Sequence, residues 1–547
     1  MTIATLAVLS CLSRIARRLL FFGHLLQLEG YKPGEYVDWL RSHVRDAVVR
    51  KSHLSGAVAL VGLYFGLSVL ALEFPESGFT GFFVLGLAWL TWAGLFSSSG
   101  RFRRDRLKKP LVFTARMRRI GVVAIAISIV LIFLPHMLFR ADGPWMTFVL
   151  TVSGLYLADL FAPASIGLAV VALEPLEATI RNGFKQKARG ILANAADLDI
   201  IAITGSYGKT SVKFAVQTVL AHRFDVLATP GSFNTPMGIC RVINNSLAPQ
   251  NRVLILEMGM RHPGDIAELC DIARPDIALI TSVGVAHLDS MGSIEAIAAE
   301  KASLLSFVRD GGSAVLNGDD ERVLRMADSF AGRSWIVATK SEVKADISAM
   351  DIDYGPTGSS FAVRDESGES ALFQTRLLGL HNVTNILMAV AVGRIYGLRL
   401  RQIQHAVTRL SPVPHRLELK QDGQITVIDD AFNSNPVGAR NAVEILGRFT
   451  TGKRVIVTPG MIELGDEQEA ANRTFGKQIA AAADMAILVG RAQTKSIADG
   501  LREAGFPDDS VRVVSSLFEA QDFIRNSLSE GDIVLYENDL PDQFNES

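Results

Sequence analysis

Lys209 and Thr210 close a glycine turn, Gly205-Ser206-Tyr207-Gly208, that follows the apolar run 198–204 and leads into the helical pattern 211–224. The strict phosphate-loop spacing would place a glycine where Ile203 stands, so this loop is a shortened form. A strand, a glycine turn and a helix N-terminus still aim backbone N–H groups at one point, which suits a polyphosphate. In that reading Lys209 neutralises the β- and γ-phosphates and the Thr210 hydroxyl reaches Mg²⁺. The plainer alternative is a tight β-α turn with an incidental lysine.

Further residues fall where such a site would use them. Glu257 ends the apolar run "RVLILE", and His287 and Asp289 follow "IALITSVGVA". A carboxylate and an imidazole at adjacent strand ends suit a second Mg²⁺, with capping as the competing role. Lys301, in "SIEAIAAEKASLL", reads by itself as a solvated surface lysine. Asn382 and Asn385 lie three apart on one helix face, placed to read an adenine edge or to cap the helix. "HRLE" (415–418) and "DDAFNSNP" (429–436) complete the polar set.

These groups need strand ends to hold them. From about residue 176 short β-like runs alternate with helical stretches: "LDIIAIT", "RVLILEMG", "IALITSVG", "SAVLNGD", "SWIVAT", "ITVIDD", "RVIVTPG", "MAILVG" and "DIVLYEND". Strands alternating with helices predict parallel α/β sheets, whose ligands gather at the C-terminal strand ends. The prolines of "RLSPVPHRLE" mark a boundary between two such domains, giving 176–410 as an ATP-binding P-loop domain and 411–547 as a Rossmann-like domain.

Residues 1–175 have a different texture. Four apolar stretches, Leu54–Leu72, Phe79–Phe96, Ile120–Phe139 and Trp145–Leu173, are each long enough to cross a bilayer. The connection 101–119, "RFRRDRLKKPLVFTARMRR", is strongly basic, whereas "EFPES" and "RADGP" are not. The positive-inside rule then predicts a helical transmembrane region in the cytoplasmic membrane, with both termini and the catalytic domains on the cytoplasmic side. At the N-terminus Arg14, Arg17 and Arg18 interrupt an apolar run, which predicts an amphipathic segment on the membrane surface instead of a cleaved signal. Membrane lipid is thus an expected partner. Three scattered cysteines among 547 residues give no disulfide framework, and a net charge of -1 gives no reason to expect nucleic acid.

In order along the chain, "TGSYGKTS", "LEMGMRHPGDI", "ARPDIALITSVGVAHLDSMGS", "EKASLL", "LLGLHNVTN", "DDAFNSNP" and "MIELG" resemble the Mur ligase family, the ATP-dependent amide-bond synthetases of peptidoglycan assembly, and within it the MurF type. The resemblance covers roughly residues 198–540. It implies that Gly205, Ser206, Gly208, Lys209, Thr210 and Ser211 form the ATP phosphate loop and that Thr210, Glu257, His287 and a carbamylated Lys301 serve Mg²⁺. It implies Asn382 and Asn385 on the adenine side, Arg416 near the phosphates, Asp430 as the C-terminal acid that meets nucleotide, and Asn234 near the acceptor carboxylate. The implied reaction joins a muramoyl-peptide or other carboxylate acceptor to an amino-acid or dipeptide amine through an acyl phosphate.

The chain departs from the family in three places. The membrane-like region replaces a UDP-sugar-binding domain. "YENDLPDQF" stands where a "KGSR"-like stretch is usual, and "TPG" replaces "GD" before "MIELG". Competing expectations are a membrane-associated poly-γ-glutamate synthetase-like or other amino-acid ligase, and a non-catalytic membrane scaffold or transporter component.

Overall fold

The computed structural model describes residues 2–44, 111–140, 144–432, 434–462 and 464–539, with the pairs 53–54, 57–58 and 61–62. The chain divides into two compact units, Met1–Arg181 and Asn182–Ser547.

Among the described residues the first unit is helical, with helices Thr2–Leu28, Pro33–Ser42, Ala115–Leu138, Pro144–Leu160 and the start of Ala162–Ala193. The apolar stretches expected at 54–72 and 79–96 lie outside the described residues, apart from residues 54, 57–58 and 61–62. The third is the helix Ala115–Leu138, begun by Thr114 Oγ1 accepting from Met117 N at 3.1 Å. The fourth, whose Asp159 and Pro163 lead one to expect a tilt, a kink or a partly interfacial course, is two helices, broken at Phe161. Helices Ala115–Leu138 and Ala162–Ala193 are long and apolar enough to cross a membrane.

The first of these two helices meets Pro144–Leu160 at Gly154, where a Cβ would come within 2.0 Å of the Ile132 carbonyl oxygen. Only a residue without a side chain permits that approach. The N-terminal segment differs from its surface expectation. Arg17 is exposed, but Arg14 and Arg18 are buried against Asp159, with Arg14 Nε 3.1 Å from Asp159 Oδ2 and His53 Nε2 2.8 Å from the same oxygen. Burial of these charges is tolerated because they are paired.

Among its described residues the second unit contains two sheets. The first has nine strands: β1 (Asp199–Thr204), β2 (Val226–Ala228), β3 (Val253–Glu257), β4 (Ile277–Ile280), β5 (Ser313–Asn317), β6 (Arg333–Ala338), β7 (Ile347–Gly355), β8 (Gly358–Asp365) and β9 (Ser370–Thr375). Their order is β2-β3-β1-β4-β5-β6-β7-β8-β9, parallel as far as β7 and antiparallel from there to β9. The second sheet runs β10-β11-β15-β12-β13-β14, with β10 (Glu418–Asp422), β11 (Ile425–Asp430), β12 (Arg454–Thr458), β13 (Met485–Val489), β14 (Val511–Val514) and β15 (Ile533–Glu537). Only the β10–β11 pair is antiparallel there.

The fold is therefore mixed α/β with mainly parallel sheets, and all nine expected strands form. Buried on both faces, the parallel strands read as continuous apolar runs. One face of the first sheet packs against helices Lys209–Leu220, Leu380–Ile395 and Leu400–Val407, the other against Pro236–Ser246, Asp265–Ile272 and Ile294–Ser306. Register then does the positioning. Ile203 pairs with both Glu257 and Leu279, so β1, β3 and β4 end level and the loops after them converge.

Candidate active site

The shortened loop joins β1 to the helix Lys209–Leu220. Both glycines are required. Gly205 has φ +147° and a Cβ there would lie 1.9 Å from Thr281 Oγ1; Gly208 has φ +81° and a Cβ there would lie 2.7 Å from Asn385 Oδ1. Ser206 N donates to the Ser282 carbonyl at 2.8 Å, Ser206 Oγ to the Gly284 carbonyl at 3.1 Å, and Tyr207 N to Ser282 Oγ at 3.0 Å. Ser206 thus fastens the loop to the chain after β4. The first backbone bond closing the helix is Val212 N to Gly208 O, 2.9 Å, which leaves the N–H groups of Lys209, Thr210 and Ser211 at the open end. That open end and the side-chain-free glycines fit a polyphosphate.

Lys209 Nζ donates to the Gly205 carbonyl at 2.6 Å and the Ser206 carbonyl at 3.4 Å, over the loop it would share with the phosphates. Burial pulls its ammonium down to about 8, against the opposing charge of Glu257. Glu257 is 2% exposed and is the meeting point of three elements. Its Oε2 accepts from Thr210 Oγ1 at 3.0 Å and lies 3.3 Å from Lys213 Nζ, and its Oε1 accepts from Asn234 Nδ2 at 3.4 Å.

His287 takes a left-handed conformation, φ +66°, before the short helix Leu288–Met291. Burial first, then the charges of Arg261, Lys209, Lys301 and His262, drive its imidazole down to about 4. It is therefore neutral at physiological pH, the form that ligates metals. Lys301 corrects the residue-level expectation: it is 2% exposed, inside the helix Ile294–Ser306. Desolvation and the Lys209 charge pull it down to about 7. Its neighbour Glu300 is engaged elsewhere, accepting from Gly264 N at 3.0 Å and Ile266 N at 2.9 Å.

Asn382 and Asn385 are buried at the start of the helix Leu380–Ile395 and bonded to each other, Asn385 Nδ2 donating to Asn382 Oδ1 at 3.2 Å. Asn382 Nδ2 donates to the Leu378 carbonyl at 2.9 Å. Asn385 sits against Gly208, at the loop.

In the segment just before β10, Arg416 stacks its guanidinium 4.3 Å from the Phe432 ring centroid, and its charge is felt at Lys209 and Lys213. Asp430, at the end of β11, accepts from Leu417 N at 3.1 Å, and burial pushes its carboxyl up to about 7.

Two residues of this neighbourhood escaped the sequence reading. Lys213 is wholly buried, and its one signal was a lysine within the apolar pattern "SVKFAVQTVL". Glu537, at the end of β15 and in register with Asp430, bonds the Ser434 and Thr458 hydroxyls; burial pushes it up to about 8. Among the described residues no three His, Cys, Asp or Glu side chains gather as a protein-only metal site. Thr210 and Glu257 instead suit a Mg²⁺ that shares phosphate oxygens.

Comparison with known proteins follows the same outline. Residues 203–393 match the Mur ligase middle domain and residues 415–536 the Mur ligase glutamate ligase domain. The UDP-N-acetylmuramoyl-tripeptide--D-alanyl-D-alanine ligase of Mycobacterium leprae is 32% identical over 370 residues, 62% of this chain and 71% of that protein. That of Mycobacterium bovis is 36% identical over 290 residues, 52% of this chain and 56% of its own length. The chain thus spans little more than half of the Mycobacterium bovis protein. The crystal structure of a MurF ligase from Thermotoga maritima in complex with ADP superposes with a TM-score of 0.58 at 23% identity, covering 65% of this chain and 80% of that one.

Proposed function

The chain belongs to the Mur ligase family, and on that premise we propose that it is an ATP- and Mg²⁺-dependent ligase of peptidoglycan precursor metabolism, forming an amide bond in the MurF manner. The observation that carries this is the convergence of Lys209, Thr210, Glu257, His287 and Lys301 on one end of the nine-stranded sheet. The relatives' names support the muramoyl-tripeptide and D-alanyl-D-alanine pair, and the ADP-bound neighbour supports the nucleotide. In this reading residues 176–410 are the ATP-binding domain and 411–547 the C-terminal domain.

The chemistry follows from the residues. The phosphate loop and Lys209 hold the β- and γ-phosphates while the acceptor carboxylate, steered by Asn234, attacks the γ-phosphorus and ADP leaves. When bound at Thr210 and Glu257, with neutral His287 serving a second ion, Mg²⁺ supplies charge stabilisation. The amine attacks the acyl phosphate carbon, and phosphate leaves with the electron pair of the broken C–O bond. Arg416 and Asp430 face this site from the second sheet, and Asn382 and Asn385 back the loop on the adenine side. Lys301, once its ammonium has released a proton, attacks CO₂ as the neutral amine; the new N–C bond, the C=O electron pair moving onto oxygen and loss of a second proton give a carbamate anion able to serve a metal.

Phosphate release from ATP tests this. Turnover is expected with an acceptor, UDP-muramoyl tripeptide or its lipid-linked counterpart, and D-alanyl-D-alanine together, and not with either alone. No turnover with either acceptor, in a preparation that binds ATP, sinks the reading. Turnover with glutamate alone would favour the poly-γ-glutamate type.

The first unit is proposed to lie in the cytoplasmic membrane, with the ligase domains on the cytoplasmic side. Val122, Ile125, Phe133 and Met137 expose an apolar stripe along the helix Ala115–Leu138, facing lipid in this reading. The full chain is expected to stay with membranes through an alkaline carbonate wash; recovery in the supernatant would remove the membrane part of the proposal.

A further inference from the structure

One charged side chain of the helix Lys209–Leu220 is wholly buried. Lys213, 0% exposed, lies one turn beyond Thr210, beside the buried Val212, Ala215 and Val216. Its Nζ donates to the Gly231 carbonyl and is 3.3 Å from Glu257 Oε2, the same oxygen that accepts from Thr210. Gly231 and Asn234 belong to one turn, between β2 and the helix Pro236–Ser246. The far end of that turn is fastened to the chain after β3: Gly259 N donates to the Asn234 carbonyl at 3.0 Å, and a Cβ on Gly259 would lie 2.8 Å from Asn234 Nδ2.

Lys213 therefore ties together the helix that opens at the phosphates, the strand that carries the metal carboxylate, and the turn that carries the acceptor-side asparagine. A buried ammonium is costly unless it is paired. Here the pairing links site elements to one another, and a purely apolar side chain would pack at this position without such cost.

We infer that Lys213 is a positioning residue: it holds the Gly231–Asn234 turn in register with Glu257, so that the acceptor carboxylate meets the γ-phosphate. The assignment rests on the ligase reading for the identity of the acceptor, and on geometry alone for the tether.

Lys213→Met keeps an apolar stem of similar length and removes the ammonium. KM for UDP-muramoyl tripeptide is expected to rise at least about tenfold, the scale of one hydrogen bond to a charged group, while KM for ATP changes by less than about threefold. Backbone amides of residues 229–234 are expected to exchange at least about tenfold faster, with those of β1 and β3 unchanged. A lowered melting temperature with parental KM values and parental exchange in the turn would make Lys213 a packing residue and overturn the inference.

Lys213→Gln, which retains a donor of shorter reach, serves if the methionine variant does not fold. It is expected to loosen the turn in the same direction, and parental exchange overturns the inference equally. If the unsubstituted protein does not turn over UDP-muramoyl tripeptide, the ligase reading fails for that acceptor, and the exchange comparison still decides whether Lys213 is a tether.

Discussion

Lys209→Ala is expected to lower kcat for ATP-dependent phosphate release by about 10²–10³-fold, the effect of removing one preorganised electrostatic group aimed at developing charge. The lysine sits on the phosphate loop itself, with Nζ 2.6 Å from the Gly205 carbonyl, so phosphates entering the loop meet it without rearrangement of the backbone. Its low pKa adds a second test. Desolvation holds the ammonium near 8, below its ordinary 10.5, and a bound polyphosphate favours the charged form and raises it. ATP binding near pH 8 should then take up a proton and weaken as pH rises further. Calorimetry in buffers of different ionisation enthalpy reads that uptake in the parent and its loss in Lys209→Ala. Single-turnover phosphate release within about tenfold of parent would reject the assignment of Lys209 to the γ-phosphate.

Sequence reading reached as far as continuous patterns carry. The central parallel strands were legible because a strand buried on both faces is one apolar run, as in "RVLILE" and "IALI", whereas the short parallel edge strands β2 and β14, not buried throughout, were not. The antiparallel strands β7 to β9 were not. They alternate, with Ile347 and Ala349 or Phe361 and Val363 buried and their neighbours less so, and they turn at Gly355-Pro356-Thr357-Gly358. β10, "ELKQD", is a polar edge strand with no apolar run to find.

Site residues divide the same way. Lys209 and Thr210 announced themselves by closing the glycine loop and Glu257 by standing at a strand end, whereas Lys213 and Lys301 lie deeper within helices, where neighbouring residues alone do not tell a buried lysine from a solvated one. For Lys301 the family resemblance and the residue-level reading differ, and its burial overturns the surface reading. Glu537 went unread because its partner across the sheet, Asp430, is 107 positions away in the chain and adjacent only in the register of β11 with β15.

Lys301→Met is expected to separate function from stability. In the folded protein the Lys301 ammonium titrates near 7, against an ordinary value of 10.5, because it is buried beside the Lys209 charge. Between those two values the unfolded chain holds the extra proton, so folding stability rises with pH across that window. Below about pH 7 the lysine costs the fold its full penalty, on the order of a few kcal/mol at about 1.4 kcal/mol per pKa unit. Methionine occupies similar volume without charge. The variant should therefore be more stable than the parent at pH 7 in CO₂-free buffer, by about 1–4 kcal/mol, and its stability should rise less steeply from pH 7 to 10.

Turnover should move the other way. The carbamate forms only from the neutral amine, so parental activity should climb as pH passes 7 and respond to added bicarbonate. Lys301→Met should lose about 10²-fold or more and ignore bicarbonate, as expected when one charge that serves the transition state is removed. Denaturant melts across pH, read beside phosphate release with and without bicarbonate, test both halves. A variant less stable than the parent at pH 7 would place the cost of the lysine elsewhere. A fully active one would mean that the buried amine serves no metal.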